Sequence, residues 1–549
     1  MTNPIADLEH TPCLMIIGSN TAVAHPVIAQ RIRQGLNKGT KLIVVDPRRT
    51  DMAARADIWL RLKVGTDISL LNAMAFCIIE EGLYDRSFVE RATEGFEEFR
   101  AGLADYSPER AEEITGVPAG LIREAARTYA TAPVASIAYC LGITEHSCGT
   151  NNVLSCSNLT LLTGNLGREL GGVNPLRGQN NVQGAGDMGC LPNNFPGYQH
   201  VSNDQVRRRF EEAWGVKLSG QVGLNKTVVF ERVFEGKVKA LYVMGENSVL
   251  SDANANHCRK ALEALDFLVV QDIFLTETAK LADVVLPAAS WGETEGTFTN
   301  TERRVQRVRQ AVEPPGAARQ DWRIIADLSR RLGYPLDYPD ASAIWSEMAS
   351  LVPIMAGISY ARLEEAGIQW PCPSADHPGT SILHLDLQTD PVIRSKGKFI
   401  TVEHVPPGEV PDGEYPLVLT TGRRLYHYHT GTQTRHAVGL EEVLPEELLE
   451  INPADAEALW VDDGERVRVT SRRGFLEVRT RVTEDVPRGT VFMTFHHWET
   501  PTNVLTNDVL DPIAGTPEFK ACAVKVDKLA EAKVEPADMD DSGPARKSA

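Results

Sequence analysis

The chain has 549 residues, a formal net charge of −18, and 42% hydrophobic and 24% charged residues, the balance of a soluble globular protein long enough for several domains. So acidic a surface argues against nucleic acid and anionic membrane as partners, and leaves any anionic ligand to local cations and backbone amides. No apolar run approaches membrane-spanning length, and the N-terminus has neither the basic start nor the apolar core of a secretion signal.

In chain order, residues 14–17 read as a buried strand ending in Gly18-Ser19-Asn20. A helix follows from about Pro26, with Ile28, Ile32 and Leu36 on one face, and residues 41–45 form the next strand, ending at Asp46. This βαβ unit requires a parallel sheet, with ligands expected at the carboxyl ends of its strands, where Gly18, Asn20 and Asp46 lie. It lacks a GxGxxG, so ordinary NAD binding is disfavoured. A second unit repeats the plan. Residues 239–244 end in Gly245-Glu246-Asn247, a helix is expected over 257–265, and residues 267–271 end at Asp272. Two such units suggest a pseudo-symmetric pair of nucleotide-binding halves and a large ligand with two nucleotide-like ends.

Residues 282–287 read as a buried strand, followed by a Gly-, Thr- and Asn-rich loop over 291–300. From about 293 to 406 the pattern weakens to two short helices, over 319–332 and 342–355. Residues 415–526 read as all-β, with a hairpin over 466–470 and 476–482 and a further strand over 491–495, which fits a small barrel. The tail from about Ala530 has no apolar period and is expected to be disordered. Nine cysteines share no C-x-x-C spacing, so neither a zinc site nor a ferredoxin-type cluster is encoded locally. A reducing, cytoplasmic setting with buried thiols follows.

The most informative stretch is residues 171–189, GGVNPLRGQNNVQGAGDMG. Its glycines allow close backbone approach, its five amides between Asn174 and Gly186 offer paired donors and acceptors, and Arg177 adds a planar cationic fork suited to a carboxylate or phosphate. A buried Arg177 needs an anion, either a substrate or the nearby Asp187 in a structural role. His427 and His429 would share a face if extended, and His496 and His497 would point oppositely, but no third ligand stands at metal spacing. Polar loops over a cofactor explain both sets better than a protein-ligated metal.

Together the phrases GSNTAVAHPVIAQRI, VVDPRRT, LLTGNLG, GVNPLRGQNNVQGAGDMG, VQDIFLTETAKLADVVLPAASWGETEGTFTNTERR, LYHYHTGTQT and LDPIAGTPEFKACAV resemble the catalytic (alpha) subunit of molybdopterin-dependent formate dehydrogenases, in the dimethyl-sulfoxide-reductase superfamily. NVQGAGDMG with the preceding RGQN points to the formate branch over the nitrate or arsenite branches. The resemblance implies an α/β fold with two Rossmann-like parallel-sheet domains and a C-terminal double-psi β-barrel. It implies first and second nucleotide-binding domains at 1–178 and 179–292, a mixed helical region at 293–408, a barrel at 409–527 and a disordered tail at 528–549. The cofactor it implies is Mo or W held by two molybdopterin guanine dinucleotides. Gly18, Asn20, Asp46, Arg48 and Asp67 would line one dinucleotide. Gly245, Glu246, Asp272, Thr276 and Asp283 would line the other, with Thr430, Asn503 and Lys520 closing the site from the barrel, and Gln179 would also bind the cofactor. Arg177 matches the family's active-site arginine, the one catalytic residue expected here.

Family members also carry an N-terminal [4Fe-4S] domain and a Cys or selenocysteine beside a His that serves the metal. Neither motif occurs in this sequence. The resemblance therefore leads us to expect a chain that starts downstream of its metal ligand, through a misread or truncated gene, and that oxidises little formate alone. Region 293–408 would then pack on the absent domain. Formate and electron-transfer subunits carrying iron–sulfur or flavin centres, NAD-linked among the options, are the implied partners, with no membrane insertion. Two rivals are a non-catalytic relative of the NADH dehydrogenase large-subunit type and an inactive fragment.

Overall fold

The structure, a computed structural model, describes residues 1–390, 393 and 395–529; the expected disordered tail lies outside the described residues. The first unit is built on β1 (Cys13–Ile17), α1 (Pro26–Asn37) and β2 (Lys41–Val45), with β1 and β2 parallel and in register from Cys13–Lys41 to Ile17–Val45. Proline at the first turn starts α1, and its Ile28 and Ile32 are buried against the sheet. Three strands that periodicity did not separate complete the sheet: β3 (Ile58–Leu60), β4 (Ala135–Tyr139) and β5 (Val173–Pro175). The order is β3-β2-β1-β4-β5, all parallel. All five residues of β1 are buried, as a central parallel strand covered on both faces must be. Strand order reverses between β1 and β4, which is where such sheets open a crevice for ligands.

The second unit has β6 (Ala240–Met244), α2 (Ala255–Glu263), β7 (Phe267–Asp272) and β8 (Val284–Pro287), in the parallel order β8-β7-β6. Leu268, Val270, Cys258, Ala261 and Leu262 form its core. Strand β8, expected to be buried, is an edge strand, with Val284 and Val285 each 38% exposed. Part of the expected loop over 291–300 is β9 (Gly296–Thr299), antiparallel to β10 (Arg304–Val308), which also pairs with β11 (Ile368–Gln369). Gly and Thr content hid this strand because its partners, not its own residues, stabilise it. Helices follow at Asp321–Arg331 and Ala341–Leu351. Residues 399 and 402 return to the first unit, where Phe399 stacks on Phe99 at 5.0 Å.

The C-terminal region closes into a barrel of six strands: β12 (Leu417–Gly422), β13 (Leu448–Ile451), β14 (Arg466–Thr470), β15 (Phe475–Val482), β16 (Thr490–Thr494) and β17 (Cys522–Lys528). They run β12-β16-β13-β15-β14-β17, with β17 returning to β12, in mixed parallel and antiparallel pairs. Closure leaves no free edge. No helix among the described residues is long and apolar enough to cross a membrane.

Candidate functional site

Two clefts lie at the carboxyl ends of the two parallel sheets, each closed on one side by the barrel or its loops. The first opens at the β1–β4 switch point. Gly18 (φ +57°) and Gly142 cross there so closely that a Cβ on Gly18 would meet the Gly142 carbonyl carbon at 2.7 Å. The crossing is tied by the Gly142 N–H donating to the Gly18 oxygen at 2.9 Å. Asn20 lines the cleft, and its side chain does not cap the short helix that follows it. Asp46 is buried, accepts the Arg48 N–H at 2.8 Å and is pushed up to about 6, by burial above all. Burial also raises Asp67, with partial relief from His146.

Arg48 and Lys520 reach the same cleft with their charges already met. Arg48 donates to Glu450 of the barrel at 2.7 Å and lies 3.3 Å over the Phe492 ring. Lys520 pairs with Glu145 at 2.6 Å and donates to the Thr421 oxygen at 3.0 Å. Both therefore fasten the barrel to the first sheet as well as lining the cleft.

The second cleft is lined by Gln179, Gly245, Glu246, Asp272 and Thr430 of the expected set. Its plan repeats the first. The Gly245 N–H donates to the Gln271 oxygen at 2.8 Å just as Gly18 N–H donates to Val45 at 3.0 Å, and both glycines are left-handed. A Cβ on Gly245, however, would meet nothing within 4 Å, so this backbone faces open cleft. Burial raises Asp272. Burial, the largest influence, would raise Glu246 too, but the Lys226 ammonium at 3.3 Å, the Ser251 hydroxyl and His429 together hold the carboxyl low. The loop over 426–434 covers this cleft; its Tyr428 hydroxyl accepts the Asn180 N–H at 2.8 Å.

Three expected lining residues lie elsewhere. Asp283 precedes β8, hence at the entry end of a parallel sheet, opposite Gly245; it accepts the Leu268 N–H at 2.7 Å. Asp57 does the same for Leu42 at 2.9 Å in the first unit. Buried Thr276 caps a turn by accepting the Ala279 N–H at 3.1 Å. Asn503 donates to the carbonyls of Leu250 (2.7 Å) and Ser251 (3.2 Å), stapling the barrel to the second unit.

The histidines also differ from the extended arrangement. Residues 425–430 form turns, with His429 at φ +51°. His496 accepts the Arg424 N–H through Nε2 at 3.0 Å and donates through Nδ1 to the His429 oxygen, which pins the loop over the second cleft. Burial pushes His496 down to about 3. No cluster of three His, Cys, Asp or Glu side chains among the described residues has metal-holding geometry.

Arg177 lines neither cleft itself but is tied to residues next to both. Its backbone oxygen accepts from His25 Nε2 at 2.8 Å, beside the Val23–Ala24 wall of the first cleft, and Gln179 of the second lies two residues on. Its backbone N–H donates to Thr301 Oγ1 at 3.0 Å and its Nε to Gln183 Oε1 at 3.0 Å. Asp187 is not its direct partner, and among the described residues no carboxylate pairs with this exposed guanidinium, whose two Nη groups remain available. Sequence reasoning missed Arg423, a first-cleft residue whose Nη2 approaches Gln179 Oε1 at 3.5 Å and which has no carboxylate partner among the described residues. The nearby histidines drew attention instead; its position one residue past β12 was the available sign.

An acidic side chain at the end of a second strand suits ribose hydroxyls or the donor edge of guanine, and an open left-handed glycine suits a phosphate. Two such sets, related by a repeated plan, fit a ligand with two nucleotide ends. Residues 1–331 match the molybdopterin oxidoreductase family and residues 417–523 the molybdopterin dinucleotide-binding domain. The chain belongs to the molybdopterin oxidoreductase family, and its cofactor is of the molybdopterin dinucleotide kind. It is 50% identical to the F420-dependent formate dehydrogenase subunit alpha of Methanocaldococcus jannaschii over 96% of this chain and 78% of that one. With formate dehydrogenase H of Escherichia coli it shares 42% identity, over 97% and 75% of the two chains. Among solved structures, acetylene hydratase from Pelobacter acetylenicus shares the fold, with a TM-score of 0.73 at 24% identity over 96% of this chain and 81% of that one.

Proposed function

We propose that this chain is the catalytic subunit of an enzyme that oxidises formate to carbon dioxide at a Mo or W centre held by two molybdopterin guanine dinucleotides. The bound cofactor supplies the two-electron oxidation. Gly18, Asn20, Asp46 and Asp67 hold one dinucleotide; Gln179, Gly245, Glu246, Asp272 and Thr430 hold the other. Arg177 receives the formate carboxylate through its two Nη groups, and paired charge-assisted hydrogen bonds fix the direction of the C–H bond. The observation that carries this reading is an exposed arginine fork, joined to residues beside both clefts, that has no carboxylate partner among the described residues. The names of the two formate dehydrogenase relatives support formate as the substrate. The designation "subunit alpha" supports separate partner subunits, and the proposed two-electron oxidation gives them the role of carrying electrons away through iron–sulfur or flavin centres. Nine unpaired cysteines fit a reducing, cytoplasmic setting.

Arg177→Ala in the cofactor-loaded enzyme is expected to lower kcat/KM for formate at least about 100-fold, equivalent to losing one charged pair of hydrogen bonds. Arg177→Lys is expected to recover only part, because an ammonium lacks the planar fork. Steady-state kinetics with metal and nucleotide content measured in parallel decides it. Near-normal kcat/KM in the alanine variant refutes the assignment.

A further inference from the structure

The side chain of Arg177 is held by a chain of groups that the proposed reaction leaves unused. A short helix, Val182–Asp187, puts Gln183 and Asp187 four residues apart on one face. Asp187 is wholly buried, and three donors converge on it at 2.8 Å: Gln183 Nε2 and Tyr198 Oη on Oδ1, and Trp370 Nε1 on Oδ2. Gln183 Nε2 also donates to Tyr198 Oη at 3.0 Å. An amide has one acceptor end and one donor end. With its NH₂ committed to Asp187 and Tyr198, Gln183 can present only its oxygen to Arg177, where it accepts Nε–H at 3.0 Å.

Two consequences follow. The guanidinium is anchored through Nε, which leaves both Nη donors without a hydrogen bond among the described residues. And the group in contact with Arg177 is neutral, while the counter-charge stands one residue behind it. A carboxylate in direct contact would compete with an anionic ligand for the same fork.

We propose that Gln183 and Asp187 are positioning residues for anionic substrate, a relay in which Asp187 sets the orientation of the Gln183 amide and the amide aims Arg177 without neutralising it. This rests on the reading of Arg177 as the carboxylate-binding residue. Asp187→Asn offers its own NH₂ to Gln183, permits the reversed amide, and turns a donor toward Arg177 Nε–H, which frees the side chain. Gln183→Leu removes the same link while keeping volume. The relay is one connected unit, so the two losses overlap instead of adding.

The test uses the cofactor-loaded enzyme and compares wild type, Q183L, D187N, the double variant, Tyr198→Phe as a mild change at a 40% exposed side chain, and R177A. Steady-state kinetics give KM and kcat for formate, and calorimetric titration with nitrate, an unreactive planar anion, gives affinity independent of turnover. Expected are a rise of about tenfold in KM and in nitrate Kd for each of Q183L and D187N, with metal and nucleotide content retained. The double variant should be no worse than either single one, and Tyr198→Phe should show about threefold. Wild-type KM and Kd in Q183L and D187N, with R177A severely impaired, overturn the relay alone. Additive losses in the double variant overturn it too. Wild-type anion affinity in R177A overturns the reading on which the relay rests.

Discussion

Gly18 and Gly245 occupy equivalent places, yet their surroundings demand different things. At Gly18 the left-handed backbone and the 2.7 Å approach to Gly142 both exclude a side chain. Gly18→Ala is expected to destabilise the protein by about 2–4 kcal/mol, the sum of left-handed strain and overpacking. At Gly245 only the backbone strain applies, so Gly245→Ala should cost about 1–2 kcal/mol while obstructing the second cleft. Denaturant unfolding of the two variants side by side checks the order. Asp46 makes a prediction about pH. Its folded-state value is raised to about 6, so the folded protein binds a proton that the unfolded chain releases between about pH 4 and pH 6. For cofactor-free protein this contribution to stability is present at low pH and is lost as pH rises through that window. Asp46→Asn removes the burial penalty of the charged form, so its Tm relative to wild type should be higher at pH 8 than at pH 4.5. An equal Tm difference at both pH values would show that Asp46 is not the group concerned.

At the scale of elements, the βαβ units were legible because their strands are continuous apolar runs and α1 keeps a clean 3.6-residue face. The end of each first strand, with Gly18 or Gly245, and of each second strand, with Asp46 or Asp272, followed directly from that topology. Asp283 misled for a physical reason. Adjacency to a strand does not say which end of a parallel sheet the residue occupies, and Asp283 precedes its strand where Asp272 ends one. Strand β9 was illegible because Gly-Thr-Phe-Thr carries no alternation, and its pairing with β10 is a tertiary fact. Gln183 and Asp187 sat in a loop recognised as ligand-binding, but only hydrogen-bond geometry shows which way the amide faces. Because Asp46 and Asp272 are equivalent elements, Asp46→Ala and Asp272→Ala should each reduce guanine nucleotide retained after purification by about half or more, with KM for formate in the remaining loaded enzyme little changed. Full nucleotide retention in both would refute their place in the clefts; a selective rise in KM would assign them to substrate instead.

At the scale of the whole molecule, the barrel is what turns two open sheets into one site. Arg48 on Glu450 and Phe492, Lys520 on Glu145, and Asn503 on Leu250 and Ser251 fasten it to both units. The loop pinned by His496 covers the second cleft. None of these links could be inferred from local pattern, since the barrel fastenings join residues hundreds of positions apart and His496 reaches across 67 residues to His429; the family resemblance pointed to Arg48, Asn503 and Lys520 as site residues without distinguishing fastening from binding. In the function we propose, two equivalent clefts each hold one nucleotide end of a single metal cofactor, with Arg177 close to both. Acid release of nucleotide from purified protein, quantified beside Mo and W by mass spectrometry, tests it most directly. Two guanine nucleotides are expected for every bound metal atom; one nucleotide for each metal, or nucleotide held without metal, would contradict the two-cleft assignment.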